Sequence, residues 1–254
     1  MPVHNEAGII EEVISQFYDE ISAKIPLKVV VAEDGSTDGT KEILRQLATT
    51  MPVYPLLADE RKGYSKGLID GLAKVDTEFV CFSDSDGQHL PADFWKLWER
   101  RNDADIVSGW RVNRADALHR RLMSSVFQSM ARTMFGLPRF HDITGPYKLM
   151  RTRTAKQVAG EFKYMRESFW TEFTIRACGM GFKIVEVPVG HRNRFGEGST
   201  QVYKLSKVPS IAWRQSRDLV RLWREERTKK KTGSVVGPHA ESSPGTSRRN
   251  SKTT

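Results

Sequence analysis

The sequence Phe79-Val80-Cys81-Phe82-Ser83-Asp84-Ser85-Asp86-Gly87-Gln88-His89 decides the fold that we expect. Its first four residues are apolar and favour extended structure, which is typical of a buried strand in a parallel sheet. Ligands of open α/β sheets bind outside the carboxyl ends of the strands. We therefore expect Asp84 and Asp86, which follow this strand directly, to lie where the protein binds its ligands.

One residue separates the two aspartates, so an extended backbone places them on the same side. Two carboxylates held in this way repel each other unless a cation lies between them. Mg²⁺ and Mn²⁺ prefer oxygen ligands and bind substrate phosphates in their remaining positions. Asp84, Asp86 and the amide of Gln88 are therefore a candidate metal site, although the same residue types also occur in simple turns.

Short strands and helices alternate on both sides of this stretch. The segments that predict strands are residues 27–32, 53–57, 79–82, 104–109 and 183–189, with a further short strand after a loop at 141–148. The segments that predict helices are residues 9–25, 41–48, 61–75, 91–101, 114–136, 158–181 and 208–227. This alternation predicts an α/β fold with a mostly parallel sheet and right-handed crossovers.

Positive charge is concentrated at the end of the chain. The protein has a net charge of +9, and residues 227–254 contain seven basic residues, one acidic residue and few apolar ones. This composition predicts a basic disordered tail. The rest of the chain is only mildly basic, so we expect no nucleic-acid partner, and attraction to an anionic membrane surface explains the tail at least as well.

Three further segments carry polar groups that suit anionic ligands. Acidic and hydroxyl residues at 33–40 follow the first predicted strand. Arg61 and Lys62 lie at the start of a predicted helix, where exposed amides could bind phosphate, and a solvated loop is the alternative. Residues 191–200 have the composition of a mobile anion-binding loop, with a solvated connection equally compatible.

Seven motifs, in this order, resemble the family 2 glycosyltransferases of the GT-A fold. The motifs are Pro2-Val3-His4-Asn5-Glu6, Glu33-Asp34-Gly35-Ser36-Thr37-Asp38-Gly39-Thr40, Asp84-Ser85-Asp86-Gly87-Gln88-His89-Leu90-Pro91, Gly109-Trp110-Arg111, Asp142-Ile143-Thr144-Gly145, Glu186-Val187-Pro188 and the segment from Arg194 to Ser199. The greatest likeness is to polyprenyl-phosphate sugar transferases such as the dolichol-phosphate mannosyltransferases. It covers roughly the first 200 residues, and several motifs in order are far more specific than any one alone.

The resemblance implies a GT-A type three-layer α/β/α sandwich with a mostly parallel, Rossmann-like sheet. We expect the family's first strand to be missing, because the chain begins at the first motif. The expected glycosyltransferase domain is residues 1–226, followed by the basic tail. Its parts would be a nucleotide and metal half at 1–110, an acceptor half at 111–205 and a C-terminal helix at 206–226.

The resemblance also implies a function. It is that of a metal-dependent inverting enzyme, using Mg²⁺ or Mn²⁺, that moves a hexose from a nucleotide-sugar to a polyprenyl (dolichyl-type) phosphate. The donor would be of the GDP-mannose or UDP-glucose type. Such an enzyme would work in the cytoplasm as a peripheral protein at the cytoplasmic face of a membrane, and a membrane partner protein is compatible with it.

The resemblance and the residue chemistry together assign roles to individual side chains. The nucleotide-binding set is Pro2, Glu6, Asp34, Ser36, Lys62 and Asp84. The metal set is Asp84, Asp86 and Gln88, and the catalytic set is Asp86, Arg111 and Asp142. Arg120, Arg194 and Ser199 would bind the acceptor or the diphosphate. Glu33 and Thr200 depart from the family pattern, which often has Asp and Lys at these positions.

Two questions about the chemistry stay open at this point. A phosphate acceptor is already anionic and needs only arginines to position it, whereas a hydroxyl acceptor needs a carboxylate to take its proton. Asp142 is the candidate for that base. A non-catalytic nucleotide-sugar-binding relative is a further alternative, which the intact set of Asp84, Asp86 and Gln88 disfavours.

Overall fold

The structure is a computed structural model that describes residues 1–112, 118–195 and 208–232. The strands within these residues are β1 (Pro2–Val3), β2 (Val29–Glu33), β3 (Val53–Leu56), β4 (Phe79–Phe82), β5 (Ile106–Arg111), β6 (Lys148–Arg151) and β7 (Ile184–Val189). The helices are α1 (Ile10–Ser22), α2 (Thr40–Thr50), α3 (Tyr64–Ala73), α4 (Phe94–Glu99), α5 (Leu118–Phe135), α6 (Thr152–Gly160), α7 (Phe169–Gly179) and α8 (Val208–Thr232). The predicted alternation of strands and helices is confirmed.

The described strands form two hydrogen-bonded groups. The first group is parallel and has the order β1-β2-β3, whereas the second has the order β4-β6-β5-β7. In the second group β5 and β7 are parallel, and β6 runs antiparallel to both of its neighbours. The predicted mostly parallel α/β fold is therefore confirmed, with β6 as the antiparallel exception.

The expectation of a missing first strand needs a correction. Pro2 and Val3 form the short strand β1, which pairs in parallel with Ala32 and Glu33 of β2. Val3 is only 2% exposed, and its carbonyl accepts the N–H of Asp34 at 2.9 Å. Burial of both side chains and bonding to β2 are thus enough to hold two residues as a strand, and they fix the backbone of Asp34.

Side chains alternate between the two faces of the second sheet. Ile106 and Met150 face a cluster formed with α3, α6 and α7. Their neighbours Val107 and Leu149 face a cluster on the opposite side, formed with α1 and α4. Because successive residues of a strand point to opposite faces, this pattern requires helices on both sides. The predicted three-layer α/β/α arrangement is confirmed.

Helix α8 extends beyond the predicted end of the folded domain. The sequence predicts a disordered tail from residue 227, but α8 continues to Thr232. Lys229 explains part of this extension, because its Nζ lies 2.7 Å from a carboxylate oxygen of Glu161 and 3.1 Å from one of Glu225. Residues 233–254 of the predicted tail lie outside the described residues.

The segment from 158 to 181 also differs from the single helical stretch that the sequence predicts. It is divided between the end of α6 and α7, with a connection at 161–168. The carboxylate of Glu172 in α7 accepts three backbone N–H groups of this connection, at 2.7–2.9 Å.

Within the part of the chain that the structure describes, none of the helices combines the length and apolarity that a membrane span requires.

Candidate active site

The carboxyl end of β2 carries two buried carboxylates that organise the loops around them. Glu33 accepts the N–H groups of Ser36 and, at 3.1 Å, Ala58. Asp34 accepts the backbone N–H groups of Lys62 and Gly63, the latter at 2.9 Å. The departure of Glu33 from the family pattern therefore has a structural role, since its longer side chain connects two loops.

The segment from Arg61 to Tyr64 lies between the predicted nucleotide site and the predicted metal site. Arg61 Nε is 3.6 Å from Asp34 Oδ2, and most of the Arg61 side chain is exposed. The ammonium of Lys62 lies 3.6 Å from Asp70 instead of facing Asp34. The Tyr64 hydroxyl donates a hydrogen bond to Asp84 Oδ1 at 2.9 Å. This short segment thus contacts one carboxylate through its backbone and the other through a side chain.

Asp84 and Asp86 follow β4, as predicted. Burial and the negative charge of Asp86 raise the pKa of Asp84, and the hydrogen bond from Tyr64 and the charge of Arg111 offset this only in part. Asp86 Oδ1 accepts the backbone N–H of Gln88 at 3.0 Å, which closes the turn. The pair is therefore held close enough for mutual repulsion and is not neutralised by its surroundings.

The residues present fit a divalent cation that would also bind substrate. Among the described residues, no three or more His, Cys, Asp and Glu side chains form a group that could hold a metal ion. The predicted set has two carboxylates, Asp84 and Asp86, together with the amide of Gln88. A small protein ligand set suits Mg²⁺ or Mn²⁺, which retain positions for water and phosphate oxygens. The partly compensated repulsion between the carboxylates also favours a cation between them.

The segment after β7 returns to the turn that carries Asp86. The backbone N–H of Phe195 donates to the Asp86 carbonyl at 3.1 Å, and the N–H of Arg192 donates to the Gln88 carbonyl at 3.1 Å. Gly87 has φ +72°, and a Cβ there would come within 2.6 Å of the Phe195 ring. Glycine is needed at this position both for its conformation and for the close approach of the ring.

Arg194 in the same segment forms an ion pair with Glu6. Burial raises the pKa of Glu6, and the hydrogen bond and charge of Arg194 offset only part of that increase. The sequence assigned Glu6 to the nucleotide site and Arg194 to the diphosphate. Their contact brings the two ends of the predicted site together across more than 180 residues.

Arg111 and Asp142 form a two-point ion pair. Arg111 Nε donates to Asp142 Oδ2 at 2.7 Å, and Nη2 donates to Oδ1 at 3.1 Å. The backbone N–H and hydroxyl of Thr144 also donate to Asp142 Oδ1, at 3.1 and 2.8 Å. Asp142 is 4% exposed. This carboxylate is therefore already a strongly engaged acceptor that fixes the orientation of Arg111.

Two further charged residues belong to the surroundings of the Arg111–Asp142 pair. Glu186 accepts the N–H groups of His141 and Asp142, at 2.7 and 2.9 Å, and so holds the loop before β6. Lys148 is 2% exposed and donates to Ser108 Oγ at 2.6 Å. Burial lowers the pKa of Lys148 to about 8, although the charges of Asp142 and Glu186 act in the opposite direction.

The predicted site residues fall into three groups. Pro2 lies in β1, and the Ser36 hydroxyl accepts the N–H of Asn5 at 2.9 Å, so both belong to the structure around the end of β2, where the nucleotide site is predicted. The side chain of Arg120 and all of Ser199 lie outside the described residues. The remaining predicted residues lie at strand ends or in the loops beside them, as described above.

Sequence reasoning missed the contributions of Tyr64, Trp170 and Thr144. Trp170 Nε1 donates to the Tyr64 hydroxyl at 2.8 Å, behind the contact from Tyr64 to Asp84. More than 100 residues separate the two aromatic side chains, so sequence spacing could not reveal the contact. The position of Tyr64 in a basic, glycine-containing loop before a helix was the one available signal.

The fold and the acidic strand ends define a GT-A-like α/β protein with a site suited to a phosphate-bearing ligand. The sequence profile of glycosyl transferase family 2 matches residues 1–159, which is more than half of the chain. The chain therefore belongs to glycosyl transferase family 2, and it is a glycosyltransferase.

Curated relatives agree with this assignment. Dolichol-phosphate mannosyltransferase of Pyrococcus furiosus is 28% identical over 195 residues, which are 74% of this chain and 54% of the relative. The chain thus spans about half the length of that relative. Polyprenol monophosphomannose synthase of Mycolicibacterium smegmatis is 25% identical over 207 residues, 76% of each chain.

Solved structures share the fold at lower identity. Glucosyl-3-phosphoglycerate synthase from Mycobacterium tuberculosis, crystallised with Mn²⁺, UDP and glucosyl-3-phosphoglycerate, has a TM-score of 0.59 and 18% identity, covering 87% of this chain and 77% of that one. Mannosyl-3-phosphoglycerate synthase from Rubrobacter xylanophilus has a TM-score of 0.59 and 13% identity, covering 96% and 76%. At these identities the likeness establishes the fold.

Proposed function

We propose that this glycosyltransferase moves a hexosyl group from a nucleoside-diphosphate sugar to a polyprenyl phosphate, with inversion at the anomeric carbon. The names of two curated relatives, a dolichol-phosphate mannosyltransferase and a polyprenol monophosphomannose synthase, support this acceptor class. The observation that carries the proposal is the ion pair of Arg111 with Asp142. It places an oriented guanidinium at the carboxyl end of β5, where a phosphate acceptor would need one.

The same pair bears on whether a general base is needed. A base must have an acceptor oxygen available to the proton that it removes. Asp142 accepts two N–H groups from Arg111 and two further donors from Thr144. A phosphate monoester is already a nucleophile and loses no proton when it attacks. The engaged state of Asp142 therefore favours a phosphate acceptor, with Asp142 as the residue that positions Arg111.

In the proposed reaction a phosphate oxygen of the acceptor forms a bond to the anomeric carbon. The bond from that carbon to the nucleoside diphosphate breaks, and its electron pair leaves with the diphosphate. One displacement from the opposite face gives the inverted anomer. Arg111 orients the incoming phosphate, and Arg194, whose neighbour Phe195 contacts the Asp86 carbonyl, can contribute positive charge beside that turn.

A divalent cation fits Asp84, Asp86 and Gln88, and when bound it would neutralise charge on the leaving diphosphate. The polar groups of Asp34 lie at the end of β2, next to the segment from Arg61 to Tyr64. We place the nucleotide in this region and the acceptor near Arg111. The choice of metal ion and the choice of nucleotide base in the donor stay predictions. So do the location at a membrane surface and a membrane partner protein.

The test is a transfer assay that compares polyprenyl phosphate with polyprenol, which has the same chain and a hydroxyl in place of the phosphate. The donors are GDP-mannose and UDP-glucose, each with Mn²⁺. We expect transfer to the phosphate alone, with one of the two donors preferred. Transfer to the free alcohol, or donor binding without transfer to either lipid, would contradict the proposed acceptor.

Asp142→Asn separates the two roles of this residue in the same assay. Asparagine keeps an acceptor for Arg111 but cannot act as a base at neutral pH. If Asp142 positions Arg111, we expect a loss of roughly 10-fold, the size of one weakened charge-assisted contact. A loss on the order of 10³-fold or more would match removal of a general base instead.

A further inference from the structure

Two aromatic side chains, Tyr64 and Trp170, lie behind Asp84. Trp170 Nε1 donates to the Tyr64 hydroxyl at 2.8 Å, and that hydroxyl donates to Asp84 Oδ1 at 2.9 Å. Trp170 is 4% exposed and belongs to the core between the second sheet and its helices. A rigid core residue is therefore connected to the proposed metal-binding carboxylate through one hydroxyl group.

The donor directions follow from the chemistry of the two side chains. An indole N–H can only donate, so it uses a lone pair of the Tyr64 oxygen. The hydroxyl hydrogen is then directed at the carboxylate. A tyrosine hydroxyl carries its hydrogen at neutral pH, so it can donate to the carboxylate while its oxygen accepts from the indole. One oxygen of Asp84 is thereby held in a defined orientation.

The loop that ends at Tyr64 also holds the carboxylate at the end of β2. Lys62 and Gly63 donate their backbone N–H groups to Asp34. Gly63 has φ +90°, a conformation that favours glycine and that lets the chain turn into α3 after contacting Asp34. Tyr64, two residues after Lys62 in the same segment, contacts Asp84 through its hydroxyl. A displacement of this segment would therefore disturb both carboxylates.

We propose that Tyr64, held by Trp170, is a positioning residue that orients Asp84 for metal binding and ties the metal site to the nucleotide-binding side of the domain. The inference rests on the proposed function, because it assumes that Asp84 binds the metal. A hydrogen-bonding partner behind a metal ligand fixes its orientation, and removal of such a partner commonly weakens metal binding about 10- to 100-fold.

The experiment is a titration of the full chain with Mn²⁺ in the presence of GDP, repeated with UDP, with free Mn²⁺ measured by electron paramagnetic resonance. We expect Tyr64→Phe to weaken Mn²⁺ binding about 10-fold. Nucleotide binding in the presence of EDTA should change less than about twofold, because the contacts of Lys62 and Gly63 with Asp34 use the backbone. A merely structural role would weaken both equally. Mn²⁺ affinity equal to that of the wild type overturns the inference.

Tyr164→Phe is the matched control. The Tyr164 hydroxyl donates to Glu225 Oε2 at 2.7 Å, so this variant loses the same kind of hydrogen bond in a different part of the protein. Its Mn²⁺ affinity should equal that of the wild type. If Tyr164→Phe weakens Mn²⁺ binding as much as Tyr64→Phe does, the effect is not specific to Asp84 and the inference is wrong.

Asp84→Asn separates failure of the inference from failure of the proposed metal site. If Asp84→Asn weakens Mn²⁺ binding and Tyr64→Phe does not, the metal site stands and the positioning role is wrong. If Asp84→Asn also leaves Mn²⁺ binding unchanged, both are wrong. If Tyr64→Phe does not fold, Trp170→Phe is the second variant, because it removes the N–H that donates to the Tyr64 hydroxyl. We expect Trp170→Phe to weaken Mn²⁺ binding about threefold. Unchanged affinity there would overturn the inference.

Discussion

Two clusters of carboxylates in this protein have opposite electrostatic environments. Glu225 in α8 lies beside Arg176, and hydrogen bonds from Tyr164, Lys163 and Lys229 outweigh the effect of burial, so that the pKa of Glu225 is lowered to about 2. Asp84 lies beside Asp86, and its pKa is raised. The same chemical group is thus stabilised as an anion in one place and destabilised in the other.

The difference indicates two roles. The cluster around Arg176 fastens α8 to α7, since the guanidinium, 1% exposed, contacts Glu172, Glu225 and Glu226 at 2.7–3.1 Å. Lys163 and Lys229, which also contact Glu225, add positive charge to this cluster. The repulsion between Asp84 and Asp86 is offset only in part by Tyr64 and Arg111, and such local destabilisation is common where proteins bind ligands. We therefore assign the first cluster to stability and the second to function.

Removal of the balancing charge from the first cluster should have the largest effect. Arg176→Met leaves the buried carboxylate of Glu172 without its cation and removes one of the cations that contact Glu225. We expect the free energy of unfolding to fall by about 3–5 kcal/mol, as for other broken buried ion pairs. Urea unfolding at neutral pH measures it. The control is Arg151→Met, whose ion pair with Glu78 is largely exposed and should contribute less than about 1 kcal/mol.

Removal of one charge from the second cluster should affect activity and leave the fold intact. Asp86→Asn keeps an oxygen that accepts the N–H of Gln88 but halves the negative charge of the pair. Loss of a metal-dependent stabilisation of several kcal/mol predicts a decrease in transfer rate of at least roughly 100-fold. The rate at saturating Mn²⁺ and donor tests this, with circular dichroism as the check on folding. Activity within threefold of the wild type would contradict the role of Asp86.

Replacing one carboxylate by its uncharged amide in each cluster compares the two clusters directly. In metal-free protein at neutral pH, Asp84→Asn removes a repelled charge and keeps an acceptor for Tyr64, so we expect stabilisation on the order of 1 kcal/mol. Glu225→Gln removes a charge that three cations favour, so we expect destabilisation on the order of 1 kcal/mol. Thermal unfolding in EDTA measures both. Shifts of the same sign would remove the basis of the comparison.

The pH dependence of stability should be the smallest of these effects. The pKa of Glu225 is lowered from 4.5 to about 2 in the folded state, so the folded state binds fewer protons than the unfolded chain. The stabilisation by Glu225 is therefore present above about pH 4.5 and is lost as the pH falls towards 2. The difference in urea midpoint between wild type and Glu225→Gln should shrink from pH 6 to pH 3. A constant difference over this range would contradict the prediction.

Local patterns were sufficient for much of the fold. Apolar runs that end in turn residues located β2, β4 and β5, because strands between two layers of helices are short and continuously apolar. The prediction that residues 79–82 form a buried parallel strand was wrong in its pairing, since β4 pairs antiparallel with β6 and is mostly half-buried. The ends of the segments were less predictable. α8 continues to Thr232 in part because Lys229 contacts Glu161 after α6 and Glu225 one turn earlier in α8, and a composition rich in lysine cannot reveal the distant partner.

The candidate site was likewise only partly predictable from the sequence. Asp84 and Asp86 could be found from the sequence because only one residue separates them and they directly follow a strand. The hydrogen bonds that Asp142 accepts could not be predicted, because they come from Arg111, which is 31 residues away, and from the turn at Thr144. An isolated carboxylate in a sequence does not reveal whether it is free to act as a base.

The sequence by itself determined the α/β class, the location of acidic groups at strand ends and the family, since each of these depends on neighbouring residues or on motifs in order. Only the tertiary structure decided which charges are paired. It joined Arg194 to Glu6, Arg111 to Asp142 and Trp170 through Tyr64 to Asp84. The physical reason is that hydrogen bonds and ion pairs act over a few ångströms, and the fold decides which distant residues come within that distance.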